Sequence, residues 1–118
     1  MSKRSVGDIY EQKAAQFLEK KGYQILARNY HTRFGEIDLV ALDEGVLCFV
    51  EVKYRKDNRF GSPQEAVDIK KQKRLSYSAA VYVMKEKIAL ERAMRFDVVG
   101  ILGEEYVLIK DAFPYLGD

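Results

Sequence analysis

The residues best suited to chemistry stand in GEIDLVALDEGVLCFVEVKY at 35–54, where acidic and basic side chains interrupt two apolar arms. The β-branched and aromatic residues of each arm favour strands, and Glu44 and Gly45 between them are typical of a β-hairpin turn. A two-residue turn at those positions sets Asp38 directly opposite Glu51. The sequence therefore predicts two carboxylates that face each other across one end of a hairpin.

Two opposed carboxylates about 5 Å apart repel each other unless a cation lies between them. Mg²⁺ or Mn²⁺ suits such a pair, because hard divalent cations prefer oxygen ligands and are often held by one or two carboxylates plus water and phosphate. Lys53, two residues after Glu51, is placed to hold or activate a water, or to neutralise charge that develops on a phosphate. The alternative is a solvated strand end in which Lys53 only balances Glu36, its predicted partner across the hairpin.

Side chains alternate between the two faces of a strand, and this assigns the hairpin residues to two sets. One face is predicted to be apolar throughout, and the other to be apolar near the turn and charged at the far end. The first set is Ile37, Leu39, Ala41, Cys48, Val50 and Val52, and the second is Val40, Leu42, Leu47 and Phe49, followed by Glu36, Asp38, Glu51 and Lys53.

With 118 residues, 47% of them hydrophobic and 32% charged, the chain is expected to form one globular domain, residues 1–118. Its single cysteine, Cys48, allows no internal disulfide, and no stretch approaches the roughly 18 apolar residues of a membrane span, so we expect a cytoplasmic protein. His31 is the only histidine, which excludes internal histidine clusters and histidine-dependent triads. We expect it in a polar loop at 31–35.

The net charge is only +2, but the charges are unevenly distributed. From Lys53 to Arg74 there are eight basic and three acidic residues, whereas the rest of the chain has twelve and fifteen. A basic segment beside a candidate metal site suits a polyanionic substrate, because phosphate contacts supply most of the affinity for nucleic acid. The alternative is a solvated helix face together with a charged loop.

Residues 5–21 have the spacing of an amphipathic helix, with Gly22 at its end. Its predicted apolar stripe is Ile9, Ala14, Phe17 and Leu18. Glu11 falls beside this stripe, so it points either to solvent, as most helical glutamates do, or toward the sheet. A first strand is predicted at 23–30, between this helix and the hairpin.

The segment after the hairpin, RKDNRFG at 55–61, is polar and basic and is expected to form a loop. Arg55, Lys56 and Arg59 are candidate phosphate contacts within it, although an exposed connector explains them equally well. Both interpretations place the segment outside the core.

A second helical region is predicted to start at Ser62, where a cap, a proline and the glutamate of a capping box follow one another. It runs to about residue 87 with a break at Asp68. Its predicted buried face is Ile69, Ser76, Ala79, Ala80 and Val83. Its candidate nucleic-acid contacts are Lys70, Lys73 and Arg74.

A crossover of this length returns the chain to a parallel strand, predicted at 95–102, and a last strand is predicted at 106–110. Asp97 alternates with apolar residues and is expected to pair with a basic neighbour rather than to bind metal. The element order, a helix, three antiparallel strands, a helical crossover and two strands, favours an α/β fold with a mixed five-stranded sheet.

Four sequence blocks in this order, GEIDLV, FVEVKYR, GSPQEAV and RFDVV, resemble the YraN-like family of uncharacterised bacterial proteins. The acidic residue of the second strand, the E-x-K of the third strand and the acidic helix before them resemble the PD-(D/E)xK nucleases of the restriction-endonuclease-like fold. The chain is also distantly similar to archaeal Holliday junction resolvases. The similarity covers nearly the whole chain, and Ile37 stands where the name of the superfamily has proline, a frequent departure there.

This resemblance implies a three-layer α/β/α sandwich around the sheet, and a metal-dependent endonuclease that hydrolyses DNA phosphodiester bonds, including structure-selective cleavage of branched DNA in repair or recombination. It implies Asp38 and Glu51 as ligands of Mg²⁺ or Mn²⁺, with the main-chain carbonyl of Val52 as a third ligand and Lys53 on the attacking water. DNA is the implied partner, and a homodimer is reasonable. The supporting polar residues that it implies are Glu11 and Gln64.

Two other functions are compatible with the sequence. One is a DNA-binding or repair-accessory domain that keeps the nuclease fold without efficient cleavage. The other is a structural domain in which the hairpin charges form only a salt-bridge network. Salt-dependent DNA binding would distinguish the nuclease and the DNA-binding domain from the structural domain. Metal-dependent cleavage would distinguish the nuclease from the DNA-binding domain.

Overall fold

The computed structural model describes residues 6–56 and 67–117, which form a mixed five-stranded sheet with one helix against each face. The strands lie side by side in chain order, and β3 and β4 are parallel while the other neighbouring pairs are antiparallel. The predicted α/β fold with a mixed five-stranded sheet is confirmed. The elements are α1 (Val6–Lys20), β1 (Gln24–Thr32), β2 (Gly35–Asp43), β3 (Val46–Arg55), α2 (Ile69–Lys85), β4 (Met94–Leu102) and β5 (Glu105–Phe113).

The end of α1 is fixed by Gly22, which adopts a left-handed φ of +94°. Its N–H donates to the Glu19 carbonyl at 3.0 Å, and the Tyr23 N–H donates to the Leu18 carbonyl at 3.0 Å. These are the two hydrogen bonds of a Schellman motif, and Tyr23 and Leu18 add the usual hydrophobic contact because both are buried in the same core. The predicted stop at Gly22 is confirmed. Neither α1 nor α2 is long and apolar enough to cross a membrane.

Each face of the sheet has its own core, and the hairpin residues alternate between the two cores as predicted, except at Ile37. Ile37 packs on the α2 side with Val40, although alternation assigns it to the α1 side with Leu39. The prediction fails between Ile37 and Leu39, where β2 leaves its ladder with β3 and faces Asn29 of β1, whose left-handed φ of +51° interrupts the regular pleat. The α1 side is filled by Ala14, Ala15, Leu18, Tyr23, Leu39, Ala41, Cys48, Val50, Val99 and Ile101.

The buried faces of α1 and α2 are rotated relative to the predicted ones. Ile9 of α1 is 41% exposed, because the stripe runs through Tyr10, at the helical spacing from Ala14, and Ile9 falls off it. In α2, Ile69 is 59% exposed and Ala80 is exposed as well, so both were wrongly predicted to be buried. The buried residues of α2 are Leu75, Ser76, Ser78, Ala79, Tyr82 and Val83.

The predicted loop at 31–35 is shorter than expected, because β1 continues through His31 to Thr32. The Thr32 Oγ1 accepts the Phe34 N–H at 3.0 Å and donates to the Gly35 carbonyl at 3.0 Å, which closes a tight turn between β1 and β2. His31 is therefore a strand residue. β5 likewise runs to Phe113, three residues beyond its predicted end.

The described part of α2 begins after Asp68, whose carboxylate accepts the Lys71 N–H at 2.8 Å as an N-cap. The expected break at Asp68 is thus a helix start. The helix start predicted at Ser62, together with Gln64 and Arg59, lies outside the described residues.

An ion-pair network joins β2, β4 and β5, together with Tyr23 just before β1, at the end of the sheet near Asp43. Asp97 is fully buried, and its carboxylate accepts hydrogen bonds from Tyr23 Oη at 2.8 Å, Arg95 Nε at 2.9 Å and the Asp111 N–H at 3.0 Å. Arg95 also donates to Asp43 at 2.6 Å, and the pKa of the Asp43 carboxyl is lowered by Arg95 and by Lys110, which lies 3.0 Å from it. The prediction that Asp97 pairs with a basic neighbour is confirmed.

We predict that Asp97→Ala lowers the free energy of unfolding by about 3 to 5 kcal/mol, because it leaves the buried Tyr23 hydroxyl without its acceptor and removes one of the two carboxylates that pair with Arg95. Urea titration followed by circular dichroism measures the change. Asp68→Ala is the control, since loss of an exposed helix cap costs about 1 kcal/mol. Equal effects of the two substitutions would show that the buried network is not a major contributor to stability.

Candidate functional site

The backbone pairing of β2 with β3 follows the predicted register but ends early. Its last pair is Leu39 with Val50. The two strands diverge beyond this point, so two predicted pairs are absent from the ladder: Asp38 with Glu51, and Glu36 with Lys53. The site therefore lies in a gap between two strands rather than on a continuous hairpin.

The Asp38 carboxylate fills this gap. Its Oδ2 accepts the Val52 N–H at 2.8 Å, so the side chain of β2 satisfies a main-chain donor of β3 at the point where the strands separate. Asp38 also shares hydrogen bonds with the Glu51 and Glu11 carboxyls. The residues that the sequence placed opposite each other thus meet through side chains, and α1 supplies a third acid.

A fourth acid, Glu36, completes the cluster. Carboxylate oxygens of Glu11, Glu36 and Asp38 lie within 4.8 Å of one another. The Asn29 amide, with its nitrogen oriented toward these acids, contacts Glu11 and Glu36. Asn29 has a left-handed φ of +51°, which asparagine tolerates better than most residues. The backbone of β1 is therefore bent where it places a donor between two carboxylates.

Glu51 is the most deeply buried of the four acids, with 3% of its surface exposed. Lys71 Nζ of α2 lies 3.1 Å from its Oε2, and Lys53 Nζ lies 3.9 Å from the same oxygen. In the part of the chain that the structure describes, Oε2 of Glu51 is nevertheless a buried side-chain oxygen without a hydrogen bond, because neither ammonium group reaches it in hydrogen-bonding geometry. The charge on this oxygen is balanced by the two ammonium groups without a hydrogen bond to either.

Burial raises the pKa of Asp38 far above its ordinary value, and the hydrogen bond and negative charge of Glu51 raise it further. The Val52 N–H opposes this shift without reversing it. Burial also raises the pKa of Glu11, although its hydrogen bond with Asp38 lowers it. Without a cation, the cluster therefore retains a proton at neutral pH.

The residues present fit a hard divalent cation. Carboxylate oxygens are the ligands that Mg²⁺ and Mn²⁺ prefer, and the buried Oε2 of Glu51 and the proton held by Asp38 mark where a cation would relieve repulsion. The Val52 N–H contacts Asp38, and the Val52 carbonyl as a third ligand stays a prediction. The three acids whose oxygens lie close enough together to share one ion are Glu11, Glu36 and Asp38, and binding by Asp38 together with Glu51 stays a prediction.

Four of the predicted site residues come together: Asp38, Glu51, Lys53 and Glu11. The predicted nucleic-acid contacts Lys70, Lys73 and Arg74 are exposed on α2, Lys56 is exposed after β3, and the Arg55 guanidinium donates to the Tyr54 carbonyl at 3.0 Å. Gln64 and Arg59 lie outside the described residues. Sequence reasoning missed Asn29 and Lys71, and it placed Glu36 at the charged end of the hairpin without assigning it a role in the site.

The fold and this cluster define a mixed α/β protein with a buried site of carboxylates and lysines. Residues 10–101 match the model of the Uncharacterised protein family UPF0102, and the chain belongs to this family. A UPF0102 protein of Lachnoclostridium phytofermentans is 48% identical over 117 residues, which cover 99% of each chain. The predicted membership of a YraN-like bacterial family is thereby confirmed.

Two further relatives carry the same family name. A UPF0102 protein of Symbiobacterium thermophilum is 51% identical over 99 residues, covering 83% of this chain and 82% of the relative. One of Fusobacterium nucleatum is 41% identical over 111 residues, covering 94% and 92%. The similarity therefore spans most of each protein.

We predict that Asp38→Asn has a higher melting temperature than the wild type in chelator. In the folded wild type Asp38 keeps a proton that the unfolded chain loses above about pH 4, because the pKa of Asp38 is raised on folding. The free energy of unfolding of the wild type therefore falls as the pH rises above about 4. The difference in melting temperature between Asp38→Asn and the wild type should grow over the same range. Scanning calorimetry from pH 4 to pH 8 measures the difference, with Glu19→Gln as a control that removes an exposed charge from α1.

The same comparison with added metal completes the test. At ten times the dissociation constant, Mg²⁺ or Mn²⁺ contributes about 1.4 kcal/mol, or roughly 3 to 8 °C in a domain of this size, to the wild type and to Glu19→Gln. Asp38→Asn should show no such gain. Equal metal shifts in all three proteins, with Asp38→Asn less stable in chelator, would identify the acids as an ordinary salt-bridge network.

Proposed function

We propose that this protein is a metal-dependent endonuclease that hydrolyses phosphodiester bonds in DNA on a restriction-endonuclease-like fold. The observation that carries the proposal is the meeting of Asp38 and Glu51 where β2 and β3 diverge, with Lys53 beside Glu51. The mixed sheet and the acidic helix α1 packed beside it agree with the resemblance to PD-(D/E)xK nucleases. The family name itself carries no activity.

The reaction needs an activated water and a means to stabilise negative charge on phosphorus. Mg²⁺ or Mn²⁺ bound by Asp38 and Glu51 would supply Lewis acidity and a water of lowered pKa. Lys53 Nζ, 3.9 Å from Glu51 Oε2, is within reach of that position and would orient the water or neutralise the pentavalent phosphate. Glu11 holds Asp38 through a hydrogen bond, and so acts as a positioning residue.

DNA is the favoured substrate class because a basic surface adjoins the acidic cluster. Lys71 in the first turns of α2 contacts Glu51, so α2 begins beside the site. Lys70, Lys73 and Arg74 of the same turns are exposed and would bind the phosphates that flank the scissile bond. We include selectivity for branched DNA in the proposal because the chain is distantly similar to Holliday junction resolvases.

The testing experiment is a cleavage panel of duplex, single-stranded, flap and four-way DNA, with Mg²⁺, Mn²⁺ or EDTA. We expect metal-dependent cleavage of at least one substrate. A second candidate function, DNA binding without turnover, is favoured by one observation: Lys71 Nζ lies 3.1 Å from Glu51 and supplies positive charge without a metal. Tight, salt-dependent binding to the panel without cleavage in either metal would favour that second function.

We predict that Glu51→Gln and Lys53→Ala each reduce cleavage by at least about a hundredfold and leave DNA affinity nearly unchanged, because neither residue belongs to the exposed basic surface. Gel assays of cleavage and fluorescence anisotropy in EDTA measure the two quantities. The matched controls are Glu19→Gln and Lys85→Ala, which change the same residue types at exposed positions of α1 and α2. Undiminished cleavage by purified Glu51→Gln would rule out the assigned site.

We predict that the double variant Lys70→Ala with Lys73→Ala weakens binding to all DNA sequences alike and flattens the dependence of affinity on salt. The reason is that phosphate contacts carry no base information, and each lost contact lowers the number of counterions released by about one. Anisotropy titrations at several salt concentrations measure both effects. Loss of affinity for one sequence alone would contradict this role.

A further inference from the structure

Lys71 joins α2 to the candidate site through a buried carboxylate. Its Nζ lies 3.1 Å from Oε2 of Glu51, closer than Nζ of Lys53, which lies 3.9 Å from the same oxygen. The Glu51 side chain is 3% exposed, whereas the Lys71 side chain is 34% exposed. Of the two lysines, the closer partner of this buried acid is therefore the one that reaches it from a neighbouring helix.

Lys71 stands at an end of α2 where the helix itself does not favour a positive charge. It lies in the first turn, and its N–H donates to the Asp68 cap at 2.8 Å. The helix dipole is positive at this end, so a lysine is disfavoured there. Among the described residues, the charge partner that the structure gives Lys71 is Glu51. The position of Lys71 is therefore explained by the site and not by the stability of the helix.

The main chain of Lys71 is fixed, while its ammonium group has room to move. The side chain borders a cleft of about 40 Å³ between α2 and the turn that joins β1 to β2, and Glu36 and Arg74 line the same cleft. This volume exceeds the roughly 15 Å³ that one water needs. The ammonium group can therefore leave Glu51 for the cleft without any movement of the helix, and Glu36 offers it a second carboxylate there.

A divalent ion and the Lys71 ammonium group compete for the Glu51 carboxylate. Mg²⁺ and Mn²⁺ lie about 2 Å from a carboxylate oxygen, so an ion held by Asp38 and Glu51 comes within a few ångströms of Nζ. Two positive charges at that distance repel each other, and a buried site screens them less than bulk water does. Glu51 Oε2 makes no hydrogen bond to either lysine in the described part of the chain, so charge alone holds the ammonium group in place.

We propose that Lys71 is a positioning residue of the site, which neutralises and orients Glu51 until a divalent ion displaces the ammonium group into the cleft. The inference rests on the proposed function in taking Asp38 and Glu51 as the ligands of the ion, but it concerns binding and is independent of cleavage. It also distinguishes two arrangements of the acids, because an ion held by Glu11, Glu36 and Asp38 would leave the pair of Lys71 and Glu51 intact.

Calorimetric titration of Mn²⁺ into the protein without DNA tests the competition. Lys71→Met keeps the length of the side chain and removes its charge, so the ion no longer has to displace an ammonium group. We expect this variant to bind Mn²⁺ about tenfold more tightly than the wild type, since an ion pair with one buried partner exceeds the roughly fivefold effect of an exposed pair. Lys71→Arg keeps the competing charge and should bind Mn²⁺ like the wild type.

Lys70→Met is the matched control, because it removes the same charge from the neighbouring, exposed position of α2. Its Mn²⁺ affinity should stay close to that of the wild type. Equal affinities of Lys71→Met and Lys70→Met overturn the inference, as does the absence of Mn²⁺ binding in both the wild type and Lys71→Met. The proposed nuclease would survive equal affinities if metal-dependent cleavage were observed. Conversely, displacement of Lys71 without cleavage would support the inference and count against the nuclease.

A second measurement uses the unaltered chain and so does not depend on the folding of a variant. Acetic anhydride acetylates lysine side chains according to their accessibility, and tandem mass spectrometry resolves neighbouring lysines. In EDTA, Lys71 should react slowly because it is paired with Glu51, and saturating Mn²⁺ should raise its reactivity toward that of Lys70. Lys70 should react equally in both conditions. A reactivity of Lys71 that Mn²⁺ does not change would overturn the inference.

Discussion

The placement of a half-buried and a buried carboxylate, Asp38 and Glu51, at the divergence of β2 and β3 is the constraint on which the site depends. Asp38 is held there because its carboxylate accepts the Val52 N–H, which has no strand partner at this point. Glu51 is held there because the pleat of β3 directs its side chain toward α2 and Lys71. Neither acid can move away without leaving a buried donor or cation unpaired. Repulsion between the acids is therefore built into the sheet, and Lys53, Lys71 and Asn29 only moderate it.

The two ends of the sheet treat buried charge in opposite ways. At one end, Asp97 is enclosed by three donors, and Arg95 is shared between two carboxylates, so the charges balance. At the other end, acids outnumber their hydrogen-bond donors, and Glu51 keeps an oxygen without a hydrogen bond among the described residues. Balanced charges of the kind around Asp97 are what a network that only stabilises the fold is expected to show. At the second end the carboxylates crowd one another, and this repulsion contributes to the raised pKa of Asp38.

Much of the fold could be predicted from local rules. The Glu44 and Gly45 turn fixes the hairpin register, and Gly22 fixes the end of α1, because each depends on a backbone conformation that few residues adopt. Ile37 could not be assigned correctly, because strict alternation breaks beside Asn29 and Asp38 even though β2 stays paired with β1 on both sides of that point. Lys71 was missed because its contact with Glu51 depends on how α2 packs, and no spacing within the helix reveals that distance.

The parallel pairing of β3 with β4 has a consequence for the order of folding. β1, β2 and β3 are joined by short turns, so their contacts are local, whereas β4 and α2 join only after a long loop has closed. Asp38 and Glu51 thus meet within the fast-forming meander, and Lys71 arrives later with α2. During synthesis the acids would face each other before Lys71 is present, a stage at which Lys53 and Asn29 of the meander, together with dissolved cations or a proton, compensate their charge.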